Sequence, residues 1–246
     1  MLKKFFYSVC VLSLFAAVPL VYADIDEDLV EAAMNEDAAE VKALLKQGAD
    51  PNYKNEQDDA PLHWAAFKGN VKIAKLLVDA GADLEILNGS KDTPVCLAAQ
   101  KGFADVAAIL IKAGAEVDVL NKNTDAPIHW ACFKGYDDVA EVLIDADCDL
   151  EIKNASKDTP LFLAAKGGFT DIVEMLLEGG AKINVKNKFG DTPLHWAVQN
   201  EYVDVVELLV EAGADANIKN KEGSTPIDLA EANGNEEILD ILDSSY

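Results

Sequence analysis

Apolar and polar positions recur along this chain in a pattern that predicts pairs of short helices. In residues 203–212, apolar side chains occupy positions 203, 205, 206, 208, 209 and 210, which places them on one face of a helix. A shorter apolar segment precedes this stretch and opens with proline, which is favoured at the first position of a helix. Threonine precedes four such prolines and predicts a helix N-cap. The prolines are Pro61, Pro94, Pro127, Pro160, Pro193 and Pro226.

The prolines are 33 residues apart, and an asparagine recurs with the same period six positions before each one. A fixed period of about 20–50 residues is typical of stacked structural repeats. The segments Thr192-Pro193-Leu194-His195-Trp196-Ala197 and Gly213-Ala214-Asp215-Ala216-Asn217 resemble the signature of ankyrin repeats. This resemblance covers about 25–246 and implies an all-α ankyrin-repeat solenoid, in which stacked helix-turn-helix units carry β-hairpin loops.

The repeat register divides the chain into a leader and a single repeat domain over 24–246. Residues 25–57 are expected to form an N-terminal capping repeat, and residues 223–246 a C-terminal capping repeat. Both are rich in acidic residues, as the exposed ends of an open stack require. The inner repeats are 58–90, 91–123, 124–156, 157–189 and 190–222.

A second period of 66 residues is superimposed on the first. His-Trp-Ala recurs at 63–65, 129–131 and 195–197, whereas the intervening repeats contain Cys-Leu-Ala and Phe-Leu-Ala. Ala60 and Ala126 replace the capping threonine, which would cost about 1 kcal/mol each without compensation. Four loops also lack the expected hairpin glycine, so we expect a different turn there. The replacements are Asp58, Lys91, Thr124 and Lys157.

Residues 1–23 have the pattern of a secretory signal peptide. Lys3 and Lys4 precede an uncharged apolar stretch, and Val21-Tyr22-Ala23 supplies the small residues of a cleavage site. We expect cleavage between Ala23 and Asp24, and export to the periplasm or outside the cell, because the segment resembles a bacterial signal. An uncleaved membrane anchor is the alternative, since 19 uncharged residues nearly span a bilayer.

Charge argues against nucleic acid as a partner. Lys plus Arg total 21 and Asp plus Glu total 44, so the net charge is −23. Cleavage of the leader would bring it to −25. Such a field repels phosphate backbones and attracts basic proteins. We therefore expect a protein partner with a basic surface, no small-molecule substrate, a monomer, and membrane contact only if the leader remains attached.

Candidate catalytic and metal-binding groups are few. The three histidines are two repeats apart, which corresponds to roughly 20 Å between packed helices, too far for one metal ion. The resemblance implies instead a buried histidine that is hydrogen-bonded near each helix start. Cys96, Cys132 and Cys148 are expected as free buried thiols, although a disulfide remains the alternative. No hydrolase, phosphate-loop or zinc-protease motif is present, so we expect no enzyme, cofactor or metal.

Three function classes therefore remain: a protein-binding scaffold, an enzyme or metal protein, and a passive acidic exported protein. The resemblance favours the scaffold, and a secreted effector that acts on host proteins is one form of it. It implies a concave binding surface formed by the hairpin tips and first helices, which we call the inner face. Its expected residues are Glu56, Gln57, Asp59, Phe67, Lys68, Asp92, Gln100, Lys101, Asn123, Asp125, Phe133, Lys134, Asp158, Lys166, Phe189, Asp191, Gln199 and Asn200.

Two features of the inner face carry alternatives. Phe67, Phe133 and Phe189 are candidate aromatic anchors for a partner, or else they fold back against neighbouring tryptophans. The aspartates two residues before the first five repeat prolines are expected to form an acidic stripe, and Lys68, Lys101 and Lys134 a basic one beside it. Alternatively, each aspartate supports its own hairpin or the next helix N-terminus.

Overall fold

Paired helices follow one another through the whole repeat region of the computed structural model, which describes residues 24–244. The predicted leader, including Ala23, lies outside the described residues. Asp24 begins them, and its carboxylate accepts the backbone N–H of Asp26 at 3.2 Å, which caps the first helix. The pairs are α1 Ile25–Met34 and α2 Ala38–Gln47; α3 Pro61–Lys68 and α4 Val71–Asp79; α5 Pro94–Lys101 and α6 Ala104–Lys112; α7 Pro127–Lys134 and α8 Asp137–Asp145; α9 Pro160–Gly167 and α10 Thr170–Glu178; α11 Pro193–Gln199 and α12 Val203–Glu211; α13 Pro226–Asn233 and α14 Glu236–Ser244.

The helices form two layers. Each first helix packs against the first helices of the neighbouring repeats, from α1 through to α13, and the second helices pack likewise from α2 to α14. Each second helix turns its apolar face inward. In α4, for example, Ile73 and Leu77 are fully buried, and in α12 Val206 and Leu209 are fully buried. The predicted all-α solenoid is therefore confirmed. No helix within residues 24–244 has the length and apolar character needed to cross a bilayer.

The first helices end at left-handed residues that also fit the next repeat. Gly135 follows α7 with φ of +71°, and a Cβ built there would lie 2.3 Å from the ring of Phe169. A side chain at this position would therefore collide with the aromatic residue that opens the next second helix. Glycine here satisfies both the turn conformation and the contact between repeats.

The loops turn back as hairpins, but no residue in 24–244 adopts β-strand structure. In one loop, the backbone N–H of Asn121 donates to the carbonyl of Asp125 at 3.1 Å, and that of Thr124 donates to the carbonyl of Asn121 at 3.0 Å. The Asn121 side chain accepts the backbone N–H groups of Asn123 and Asp125 at 2.9 and 3.1 Å. Because each turn is closed by its own asparagine, it needs no flanking strand.

The expectation of a different turn at the four glycine replacements is wrong. Their φ angles are +59° to +64°, in the same left-handed region as Gly190 at +83° and Gly223 at +90°. The following backbone N–H must reach the side chain of the loop asparagine, and this requirement fixes the turn regardless of the residue. The chain therefore carries some backbone strain at these loops, greatest at the β-branched Thr124.

Candidate functional site

Most residues expected on the inner face are accessible. The exposed ones are Glu56, Gln57, Phe67, Lys68, Lys101, Asn123, Phe133, Lys134, Phe189, Gln199 and Asn200. Those that are half-buried or buried are Asp59, Asp92, Gln100, Asp125, Asp158, Lys166 and Asp191. The helix ends and loop tips are therefore open to solvent, whereas the row of aspartates lies deeper.

The phenylalanines combine both predicted arrangements. Phe67 packs edge-on against Trp64 with ring centroids 5.9 Å apart, and Phe133 packs likewise on Trp130 at 6.4 Å. Even so, Phe67 is 38% exposed, Phe133 51% and Phe189 54%. The tryptophan contacts fix the positions of the Phe67 and Phe133 rings. Much of each ring still faces solvent.

Several lysines of this surface lie beside aromatic rings. The Lys101 Nζ stands 4.3 Å from the centroid of the Phe67 ring, and the Lys166 Nζ stands 4.3 Å from the centroid of Trp196. A cation placed over such a ring is attracted by its negative face. These two lysines therefore form part of an aromatic and cationic surface, and the basic stripe of Lys68, Lys101 and Lys134 stays a prediction.

The aspartate row joins neighbouring loops. The Asp92 carboxylate accepts hydrogen bonds from the Asn121 Nδ2 at 2.9 Å and the Gln100 Nε2 at 2.8 Å. Asp191 accepts one from the Asn220 Nδ2 at 2.9 Å. Each of these asparagines belongs to the following loop, so the aspartate links two repeats. This link to the next hairpin differs from the predicted support of the aspartate's own hairpin or helix, and the acidic stripe stays a prediction.

Burial affects the charge of this row. It raises the pKa of the Asp125 and Asp158 carboxyl groups above the ordinary value for aspartate. One carboxylate oxygen of Asp158, Oδ1, is buried and has no hydrogen-bond partner among residues 24–244. The row therefore contributes negative charge that is recessed between loops and set back from the exposed tips.

Each histidine ring joins the start of a first helix to the next loop. The His63 Nδ1 accepts the backbone N–H of Ala60 at 2.9 Å, and its Nε2 donates to the carbonyl of Ile86 at 2.9 Å. His129 makes the equivalent pair of bonds with Ala126 and Ile152. The His195 Nδ1 likewise accepts the backbone N–H of Thr192, but its Nε2 donates to the carbonyl of Ser224, six residues beyond the equivalent position. Burial lowers the pKa of all three rings, which favours the neutral form. The histidines are thus structural groups.

The thiols are buried as well. Cys96, Cys132 and Cys148 are free, which matches the expected arrangement rather than the disulfide alternative. Burial raises the pKa of the Cys148 thiol to about 12, and it also raises the pKa values of the Cys96 and Cys132 thiols above the ordinary value for cysteine. Such thiols stay protonated and unreactive at neutral pH. Within residues 24–244, no cluster of three or more His, Cys, Asp or Glu side chains is arranged to hold a metal ion.

Two cavities open beside the tryptophans of the inner face. The first measures about 240 Å³ and the second about 290 Å³. Seven of the eight lining residues of the first cavity have a counterpart 66 positions later in the second, and Ser90 and Lys166 are unmatched. The first is lined by Asp59, His63, Trp64, Phe67, Asn88, Ser90, Asp92 and Leu97, and the second by Asp125, His129, Trp130, Phe133, Asn154, Asp158, Leu163 and Lys166.

The family is decided by the match of successive segments to one repeat. The family model of ankyrin repeats in three copies matches residues 29–121, 80–154, 96–187, 128–220 and 161–245, which together cover nearly all described residues. The chain belongs to the ankyrin repeat family. Ankyrin repeats are generally protein–protein interaction scaffolds and are typically non-catalytic. No curated protein sequence matches this ankyrin chain.

Solved ankyrin structures have the same architecture. The human ASB11 ankyrin repeat domain is 29% identical, with a TM-score of 0.77 over 89% of this chain and 97% of that domain. The ankyrin repeat domain of Bcl-3, described as a unique member of the IkappaB protein family, is 24% identical. Its TM-score is 0.79 over 87% of this chain and 97% of that domain.

The sequence analysis of this ankyrin chain missed the two cavities as sites. Phe67 and Asp92 were singled out separately, and Trp64 was noted only as part of the recurring His-Trp-Ala segment. In the fold, these three residues line one cavity. The signal that could have found it was the 66-residue period, since every other repeat carries both a tryptophan and, in the first two instances, a phenylalanine three positions later.

Proposed function

We propose that this ankyrin stack is an exported, monomeric and non-catalytic scaffold that binds a basic partner protein through its inner face. The observation that carries the proposal is the set of three exposed phenylalanines. Phe67, Phe133 and Phe189 are 38%, 51% and 54% exposed, while the apolar residues of the layers behind them are buried. Large aromatic side chains on an accessible face are typical of interface residues that dominate binding energy.

Charge supports a basic partner. The net charge of −23 gives an attractive field for a positively charged protein and raises its rate of association. That rate should fall steeply as salt is added, because the Debye length shrinks from about 10 Å at 0.1 M to about 3 Å at 1 M. A rate that does not depend on salt would contradict this part of the proposal.

Export is proposed from the leader pattern at residues 1–23. Fractionation of the producing cells should place the protein in the periplasm or the medium. N-terminal sequencing of that material should begin at Asp24. A start at Met1 in the membrane fraction would indicate an uncleaved anchor instead.

Binding is tested by paired substitutions on the inner face. The wild-type protein and a double variant, Phe67→Ala with Phe133→Ala, are each used to capture partners from the exported protein fraction. The affinity for each captured protein is then measured with purified components. We expect the double variant to lose more than 2 kcal/mol of binding, about 30-fold in Kd, while thermal melts show that the repeat domain stays folded. Leu120→Ala, which truncates another exposed apolar residue at 42% exposure, is the matched control. The proposal would be contradicted if the double variant bound as tightly as the Leu120→Ala control. It would also be contradicted if no specific partner were captured.

A further inference from the structure

The two cavities are copies of one site. Phe67 and Phe133 occupy equivalent positions, as do Trp64 and Trp130, and each aromatic pair is held edge-on at 5.9 or 6.4 Å. Each cavity also receives one aspartate from its own repeat and one from the next. The duplicated pairs of repeats have therefore duplicated a complete pocket.

The lining selects a cation. Two carboxylates and two aromatic rings face a small cavity, a combination that attracts a positive charge both directly and through the ring faces. In the second cavity the Oδ1 of Asp158 is buried and has no hydrogen-bond partner in the described residues, which leaves one carboxylate oxygen of a lining residue unsatisfied. Lys166 also lines this cavity, but its Nζ is held over the Trp196 ring of the following repeat at 4.3 Å.

The size of the cavities selects a side chain. Pockets for small metabolites generally measure about 300–1,000 Å³. At about 240 and 290 Å³, these cavities lie at or just below the lower end of that range, and each has room for one long side chain. Lys101, whose Nζ stands 4.3 Å from the centroid of the Phe67 ring, shows that rings of this surface already accept an ammonium group.

The third copy of the pattern has a different lining. Around Trp196 the phenylalanine position is Gln199, and the second aspartate position is Ser224. The cavity found there is larger, about 450 Å³, and Phe189, Glu222 and Lys221 line it as well. It therefore keeps two rings and two carboxylates, but from other positions and beside a lysine.

We propose that the two cavities bind two basic side chains of a single partner segment. This inference rests on the proposed binding of a basic protein. The sites are two repeats apart, which corresponds to roughly 16–20 Å between packed helices. An extended chain advances about 3.3 Å per residue. The partner segment is therefore extended, with two arginine or lysine residues five or six positions apart.

Synthetic peptides test this spacing. A labelled peptide with two arginines six positions apart is titrated with the full repeat domain, beside versions with either arginine replaced by glutamine and one with the arginines two positions apart. We expect the first peptide to bind at least tenfold tighter than each of the others, because one segment then engages both sites together. Equal binding of the two spacings would overturn the proposal and leave only general charge attraction.

Substitutions in the cavities complete the test. Phe67→Ala or Phe133→Ala should each reduce the affinity of the six-spaced peptide to that of a single-arginine peptide. Leu120→Ala should leave it unchanged, and melting curves check that every variant is folded. Unchanged binding by the Phe67→Ala with Phe133→Ala variant would overturn the inference. A captured partner that binds without a pair of basic residues would also overturn this inference, but the proposed scaffold function would stand. If no partner were captured and the six-spaced peptide bound tightly, only the scaffold function would be overturned.

Discussion

The repeats with histidine and tryptophan differ from the two repeats between them in how the first helix begins. In the former, the ring of His63 accepts the backbone N–H of Ala60 from inside the helix. In the latter, the hydroxyl of Thr93 accepts the backbone N–H of Cys96 at 3.2 Å from in front of the helix. The same helix start is thus capped from opposite directions in alternate repeats.

This difference explains which residues each repeat tolerates. Where the histidine is present, alanine can replace the capping threonine, as at Ala60 and Ala126, because the ring satisfies a backbone donor. The expected cost of about 1 kcal/mol at each alanine is therefore at least partly compensated. The histidine repeats also present tryptophan next to the ring, whereas the other two have leucine there. Helix capping and the surface cavities therefore follow the same 66-residue alternation.

The largest expected effect comes from removing one histidine ring. His63→Ala should lower the free energy of unfolding by about 2–4 kcal/mol, because it leaves the Ala60 N–H and the Ile86 carbonyl unpaired and opens a cavity. Cys96→Ala, at the equivalent position of the next repeat, should cost only about 1 kcal/mol. Urea unfolding of both variants measures the difference, and equal losses would show that the two repeat types are held in the same way.

Lowering the pH should also distinguish the histidine repeats from the two repeats between them. Burial lowers the pKa of the His63 ring in the folded chain, whereas the unfolded ring titrates near 6.5. The unfolded state therefore takes up protons first, and stability is lost as the pH falls below about 6.5 towards the lowered pKa. The loss reaches at most about 1.4 kcal/mol per pH unit for each histidine.

Unfolding measured at pH 7.5, 6.5 and 5.5 checks this effect. The slope of unfolding free energy against pH should be smaller in His63→Ala, which removes one of the three rings whose pKa is lowered. Asp125 and Asp158, whose raised pKa values act in the opposite direction, remain in both proteins and cancel in the comparison. An identical slope in the variant would show that this ring is not kept neutral by the fold.

The threonine caps give a smaller contrast. Thr93→Ala should cost about 1 kcal/mol, because the Cys96 N–H loses its acceptor. Thr192→Ala should cost about 0.5 kcal/mol or less, since the His195 ring still accepts the backbone N–H of residue 192, an arrangement already present at Ala60 and Ala126. Thermal melts of the two variants measure the contrast, and a larger loss at residue 192 would refute the idea that the ring takes over capping.

The sequence was sufficient to predict the repeat architecture because proline, asparagine and glycine act locally. Pro193 and Thr192 mark a helix start from adjacent positions, and Asn121 closes its own loop. The role of Asp92 could not be predicted in this way. Its hydrogen-bond partner Asn121 lies 29 residues further along the chain, and the contact forms only when the repeats stack.

The candidate site was predicted only in part, for the same reason. The exposure of Phe67 and Phe133 follows from their positions at the ends of first helices. The cavities beside them depend on side chains from the next repeat, such as Asp92 and Leu97 in the first cavity. Residue spacing gives their register, but only packing shows that they enclose a space with the tryptophan.

The smallest expected effect tests a feature that both repeat types share. Thr124 has φ of +64° and Lys91 has φ of +59°, although one opens a histidine repeat and the other does not. Thr124→Gly should stabilise the fold by about 0.5 kcal/mol, since relief of about 1–2 kcal/mol of left-handed strain exceeds the entropic cost of glycine, about 0.5–1 kcal/mol. The reverse change, Gly190→Thr, should destabilise the fold strongly, because a Cβ there would lie 2.9 Å from the backbone nitrogen of Lys221. Urea unfolding measures both changes. A loss of stability in Thr124→Gly would mean that the threonine makes contacts that outweigh its strain. The loops would then be another feature in which the two repeat types differ.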